Sequence, residues 1–174
     1  MMIAMMKIVN IVCEYHLLGE IDTSELTRTK NFSGFTLKKG SKACRVFNKG
    51  YCIVTGTRDV EEADLFIREN FPLHPIITRK ILLITASQKI PFKFSFSSLL
   101  SWHKCNPDRS NFRYEGELFP AIYWIREPET VYFFSSQSAI ITGVKSIDRV
   151  ENVWREFLRE LWEICMTLEL SNSN

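Results

Sequence analysis

The sequence predicts an α+β protein in which two repeats build one continuous antiparallel sheet, with two long helices on one of its faces. Three observations carry this. VFNKGYCIVTG ends at Gly56 and YFFSSQSAIITG ends at Gly143, 87 positions later, each with a Phe nine residues before its Gly (Phe47 and Phe134). A second Phe stands 15 residues before each of these, Phe32 before Phe47 and Phe119 before Phe134. Finally, both halves read as strand, short helix, several strands, long helix. A repeat at a fixed period outweighs any single element. It divides the chain into repeats 1–79 and 80–174 of one intertwined unit.

The elements follow in order. Lys7–Tyr15 (KIVNIVCEY) alternates and is β-branched, so it reads as a strand. Asp22 with Glu25 three residues on reads as a capping box for a short helix over Thr23–Thr29. From Asn31 to Arg58, Gly34, Gly40 and Asn48-Lys49-Gly50 punctuate three or four short strands. Val60–Asn70 is an amphipathic helix. Val60, Ala63, Ile67 and Phe71 share its apolar face, Leu65 and Phe66 broaden it, and Pro72 and Pro75 end it.

Lys80–Ala86 (KILLITA) is the strand that opens the second half. Ser95 caps a helix through Trp102, and Asn106–Asn111 is a loop. Leu118–Gly143 gives further strands, with turns at Pro120 and at Glu127-Pro128-Glu129. Ser146–Thr167 is the strongest helix. Its apolar residues, Val150, Val153, Trp154, Phe157, Leu158, Leu161, Trp162, Ile164 and Cys165, recur mostly at steps of three and four.

Two helices can cover only one face of such a sheet. A strand alternates, so Val54 and Ile141 would face the helices. Ile53, Thr55, Ile140 and Thr142, joined by Val12 and Phe35, would lie on the uncovered face. An exposed apolar sheet face of that size marks a binding surface.

Charge points the same way. Leu26–Arg58 contains no Asp or Glu and eight Lys or Arg, so the rest of the chain sums to −6 against an overall +2. A basic segment on an otherwise acidic chain suits a polyanion. The five cysteines form no C-x-x-C pair, which fits a reducing compartment. The opening MMIAMM is too short for a signal or a membrane span, so a soluble intracellular protein is expected. His16, His74 and His103 lack metal-ligand spacing, and no phosphate loop or nucleophile motif is present. No catalysis, cofactor or metal is expected.

The pattern resembles the TATA-box-binding protein family. Tyr114-Glu115-Gly116-Glu117-Leu118-Phe119-Pro120 is similar to the family's YEPELFPG, and Ile140–Lys145 to its V(V/C)xTGAK. In the first half Val9–Val12 resembles QNIV, Phe32–Phe35 resembles FAAV, and Phe47–Gly56 resembles IFSSGKMVCTG. The resemblance implies a pseudo-two-fold saddle, whose concave sheet face binds the DNA minor groove while the two long helices lie on the convex side. It implies that Phe32, Phe47, Phe119 and Phe134 intercalate, and that Asn10 hydrogen-bonds base edges near the centre of the site. It places Val12, Ile53, Thr55, Leu83, Thr85, Ile140 and Thr142 on the groove floor. Lys38, Lys39, Lys42, Arg45 and Lys49 are assigned to phosphates mainly from their charge.

By the same resemblance Glu115, Glu117 and Leu118 meet a transcription factor IIB-like protein, which brings RNA polymerase. The implied partner is A·T-rich double-stranded DNA and the implied state a monomer or weak dimer, in the nucleus or, if virus-encoded, at a viral replication site. The chain departs from the pattern at Leu83, where the family has a second Asn, and at Thr85, where a Val is expected. Placing that strand at Phe94–Leu99 instead gives Ser97 and also loses the Asn. The first long helix is acidic (Asp59, Glu61, Glu62, Asp64, Glu69), against a basic one in the family. A partner-binding module or decoy that has lost DNA binding is the competing expectation.

Overall fold

The computed structural model describes residues 6–28, 34–107, 111–117 and 119–172. Ten strands and three α-helices are found among them: β1 (Lys7–Leu17), β2 (Thr27–Arg28), β3 (Phe35–Lys39), β4 (Lys42–Val46), β5 (Tyr51–Thr57), α1 (Val60–Asn70), β6 (Ile76–Lys89), α2 (Phe96–Cys105), β7 (Phe112–Tyr114), β8 (Ile122–Arg126), β9 (Glu129–Phe133), β10 (Ser138–Val144) and α3 (Ile147–Asn172). Two compact units are present, Ile8–Ile84 and Thr85–Asn174 with the start of the chain.

The 87-residue period holds from β3 to the start of the long helix, and not for the first two strands. Adding it to the bounds of β3, β4 and β5 gives those of β8, β9 and β10, and it carries the start of α1 to that of α3. The strand order is β2-β3-β4-β5-β1 in the first unit, which also holds Ile76–Ile84 of β6, and β7-β8-β9-β10 in the second, which holds β6 from Thr85 on. Gly56 and Gly143 both have φ +85, and a Cβ on either would run into a backbone carbonyl, that of Ser41 or Pro128. Only glycine fits there, which is why TG recurs.

In the first unit α1 packs on β5. Ile11, Cys13, Cys44, Val46, Cys52, Val54, Ala63 and Ile67 are fully buried. Asp59 caps α1 by accepting from the Glu62 N–H at 2.6 Å, and the Glu62 carboxylate accepts from the Arg58 N–H at 2.8 Å. Tyr15 is buried and its hydroxyl donates to Asp64, which also binds Arg79.

In the second unit α3 packs on β10. Trp124, Phe133, Phe157, Ile141 and Leu161 fill the core. Trp124 Nε1–H donates to Glu160 at 2.8 Å, and Arg126 binds Glu156 and Glu160. Arg149 binds Glu129 at 2.6 Å and Glu156 at 2.8 Å. These ion pairs fasten α3 to β8 and β9.

The Arg149 hydrogen bond holds the Glu156 carboxyl below the usual carboxylate range, with burial acting against it. A carboxyl held low in the folded state adds stability above its unfolded pKa. That stability is lost as pH falls through the folded pKa. Melting temperature is therefore expected to fall on acidification below about pH 4.3, the ordinary glutamate value. Arg149→Met should flatten that part of a melting curve series. An unchanged acid limb would show that the network contributes nothing.

Several expectations need correction. No helix forms at Thr23–Arg28. Asp22 Oδ1 instead accepts from the Ser24 N–H two residues on, an Asx turn that competes with helix, and the chain enters β2. Thr29 lies outside the described residues. Phe35 pairs with buried Val46 and so faces the helix side, not the uncovered one. Leu65 is exposed on α1, and Trp162 is 49% exposed on α3. Strand β6 extends beyond Lys80–Ala86 at both ends, and β7 precedes the expected strands. Helices α2 and α3 run past Trp102 and Thr167. The alternative strand at Phe94–Leu99 falls, because Ser95 caps α2 there by accepting from the Ser98 N–H.

Candidate nucleic-acid interface

The strand registers settle which side chains share the face opposite each helix. In the first unit Thr36, Arg45 and Ile53 form one row, and Lys38, Ala43 and Thr55 the next. In the second unit the rows are Tyr123, Tyr132, Ile140 and Ile125, Thr130, Thr142. These are the same positions plus 87. Ile53, Thr55, Ile140 and Thr142 are half-buried, while their neighbours Cys52, Val54, Ala139 and Ile141 are fully buried. Among the described residues no helix covers this side in either unit.

Asn10 and Val12 alternate with buried Ile11 and Cys13 on β1 and so join the uncovered face. Asn10 Oδ1 accepts from the Gly56 N–H at 2.8 Å and from the Thr55 hydroxyl at 3.4 Å. A backbone N–H can only donate, so the carbonyl end of the amide is fixed inward. The NH2 end is left to donate outward. Leu83 and Thr85 alternate with buried Ile84 and Ala86 on β6 in the same way.

Phe47 and Phe134 sit at matching hairpin ends. The Phe47 N–H donates to the Tyr51 carbonyl at 2.7 Å and the Phe134 N–H to the Ser138 carbonyl at 3.0 Å. Phe119 is 40% exposed, with its ring centroid 5.8 Å from that of Phe134. The second pair of the repeated rings is thus brought together. Phe32 lies outside the described residues, so the first pair is not placed.

The basic residues divide. Lys38, Lys39 and Lys49 are exposed. Arg45 lies in the open-face row. Lys42 is turned to α1, where its ammonium binds Glu62 at 2.8 Å, so contact with a phosphate would require that pair to break. Glu115 and Glu117 are exposed on the loop after β7, and Leu118 lies outside the described residues.

Residues 81–164 match the family model for "Transcription factor TFIID (or TATA-binding protein, TBP)". Among solved structures, TBP of Methanococcus jannaschii superposes with a TM-score of 0.75 at 22% identity, over 91% of this chain and 98% of that one. By sequence, residues 81–164 match the TATA-binding protein family, and by fold most of the chain is similar to the TATA-binding protein saddle. No curated protein matches it. No helix among the described residues is long and apolar enough to cross a membrane.

The TATA-binding protein fold accounts for the doubled strand order and for the open face of each unit. Reading the sequence missed Tyr123 and Tyr132 on that face. The signal was present: they are the alternate residues of Ile122-Tyr123-Trp124 and Val131-Tyr132-Phe133, and lie 87 positions after Thr36 and Arg45.

Proposed function

We propose that this chain is a transcription initiation factor that binds A·T-rich duplex DNA through the minor groove and bends it. It would recruit a factor IIB-like protein, and with it RNA polymerase, through the loop bearing Glu115, Glu117 and Leu118. The observation that carries the reading is the uncovered face itself. It repeats at 87 residues, sets Ile53 and Thr55 in the first unit at the places of Ile140 and Thr142 in the second, and ends in the second unit at the Phe119–Phe134 pair. A·T pairs offer only acceptors in the minor groove, whereas G·C adds an amino donor. An apolar floor lies on the first without stranding a polar group. The outward NH2 of Asn10 supplies a donor for those acceptors.

Fluorescence transfer across an end-labelled A·T-rich duplex tests this. A bend that weakens with salt is expected. Neutralising one phosphate contact lowers the slope of log K against log salt by about 0.9. Lys38→Ala should therefore flatten the slope by about 0.9, while Lys42→Ala, already held by Glu62 and paired with Lys39 on the helix side, leaves it near the wild-type value. A folded protein that neither binds nor bends any duplex at low salt would sink the reading. It would favour the partner-binding module, to which the loss of a polar reader at Leu83 and the acidic α1 already lend support.

A further inference from the structure

Aligned at 87 residues, the two units differ in chemistry across one open-face row. Where the first has Thr36, Arg45 and Ile53, the second has Tyr123, Tyr132 and Ile140. The two phenol rings meet edge-on at 5.1 Å between centroids. Both also touch Phe119, at 6.3 Å from Tyr123 and 6.1 Å from Tyr132. The tyrosines are therefore continuous with the Phe119–Phe134 pair at the end of the face. Both are half-buried, and neither hydroxyl has a hydrogen-bond partner among the described residues. Burial, then the nearby Glu115 carboxylate, pushes the Tyr123 phenol up, which keeps it a neutral hydroxyl able both to donate and to accept.

That chemistry differs from its surroundings. Ile140 and Ile125 offer no acceptor. Arg45, the counterpart of Tyr132, offers only donors. A guanine N2 amino group lying over an aliphatic or cationic side chain loses its water and finds nothing to donate to. Over a phenol oxygen it finds an acceptor. A phenol also carries its oxygen farther from the sheet than a threonine does.

We propose that Tyr123 and Tyr132 are specificity-determining residues that accept the guanine N2 amino group, so that the second repeat tolerates G·C beside its Phe119–Phe134 pair while the first repeat requires A·T. This rests on the minor-groove reading above. Adjacent phenols could also donate to the acceptors of A·T pairs, so the proposal is tolerance of both pairs under this repeat, not preference for G·C.

Inosine isolates the group in question, because I·C differs from G·C in the minor groove only by lacking the amino group. A single G·C or I·C pair is walked along an A·T-rich duplex, and binding is measured by fluorescence anisotropy at fixed salt. At positions under one half of the site, wild type is expected to bind the two duplexes within about threefold of each other. Under the other half I·C should be favoured about tenfold, the usual scale for a stranded buried donor. Tyr123→Phe/Tyr132→Phe keeps both rings against Phe119 and removes only the oxygens. It should lower affinity for G·C about tenfold in the tolerant half and leave I·C unchanged.

An equal loss on G·C and I·C would overturn the assignment, since the tyrosines would then act by packing alone. Equal discrimination by wild type in both halves would also overturn it, with minor-groove binding left standing. Failure to bind any of the duplexes would overturn the minor-groove reading and this inference with it.

Discussion

Phe119→Ala/Phe134→Ala is expected to bind an A·T-rich duplex about 100-fold more weakly than wild type and to abolish the bend. Unstacking a base step costs a few kcal/mol, and an inserted apolar ring is what offsets it. Without the rings the duplex stays straighter and the flanking floor residues lose their contact. The loss should therefore exceed that of two isolated side chains. The rings are suited to this because they are not core. Phe119 is 40% exposed and Phe134 half-buried, whereas Phe133 beside it is fully buried. The double variant should accordingly melt within a few degrees of wild type. Phe133→Ala, by contrast, should destabilise the fold. A double variant that still bends DNA as wild type does would remove the ring pair from the mechanism, whatever its affinity.

The repeat was legible because its landmarks are backbone requirements. Gly56 and Gly143 recur since no Cβ fits against the Ser41 and Pro128 carbonyls, and the strands between them keep their register to the residue. The Val60–Asn70 helix was read to its ends because an acidic start, an apolar stripe and following prolines agree there, and the structure adds Asp59 as its cap. The misreadings lie where two local preferences compete. Asp22 serves an Asx turn as readily as an N-cap, and only the β-branched Thr23 and Thr27 argued for the turn. Phe35 was put on the wrong face by one step of alternation, since its pairing with Val46 depends on a hairpin register that Gly40 and Ser41 set. At the candidate interface the apolar rows were legible from period two. The engagement of Lys42 by Glu62 was not, because it joins a strand to a helix twenty residues on.

The two units use their equivalent helices differently, and this gives the largest expected effect on stability. Position 70 in the first unit corresponds to position 157 in the second. Asn70 is the last residue of α1, and its side chain donates back to the Phe66 carbonyl at 2.7 Å before Phe71 and Pro72 turn the chain away. Phe157 occupies that place in α3, no proline follows, and the helix continues to Asn172. Phe157 is fully buried at the hub of an aromatic cluster, with ring centroids at 5.2 Å from Phe133, 5.5 Å from Trp154, 6.0 Å from Trp124 and 6.4 Å from Phe112. Rigid rings from strands and helix cannot collapse into the space left by one of their number. Phe157→Ala should therefore cost about 4 kcal/mol, the middle of the range for such truncations. For a chain of this length that lowers the melting temperature by on the order of 10 °C. Leu170, 66% exposed near the end of the same helix, is the control, and its truncation should stay within about 0.5 kcal/mol of wild type. Similar losses at the two positions, measured by calorimetry or urea titration, would mean that the hub carries no special weight and that stability is spread evenly along α3.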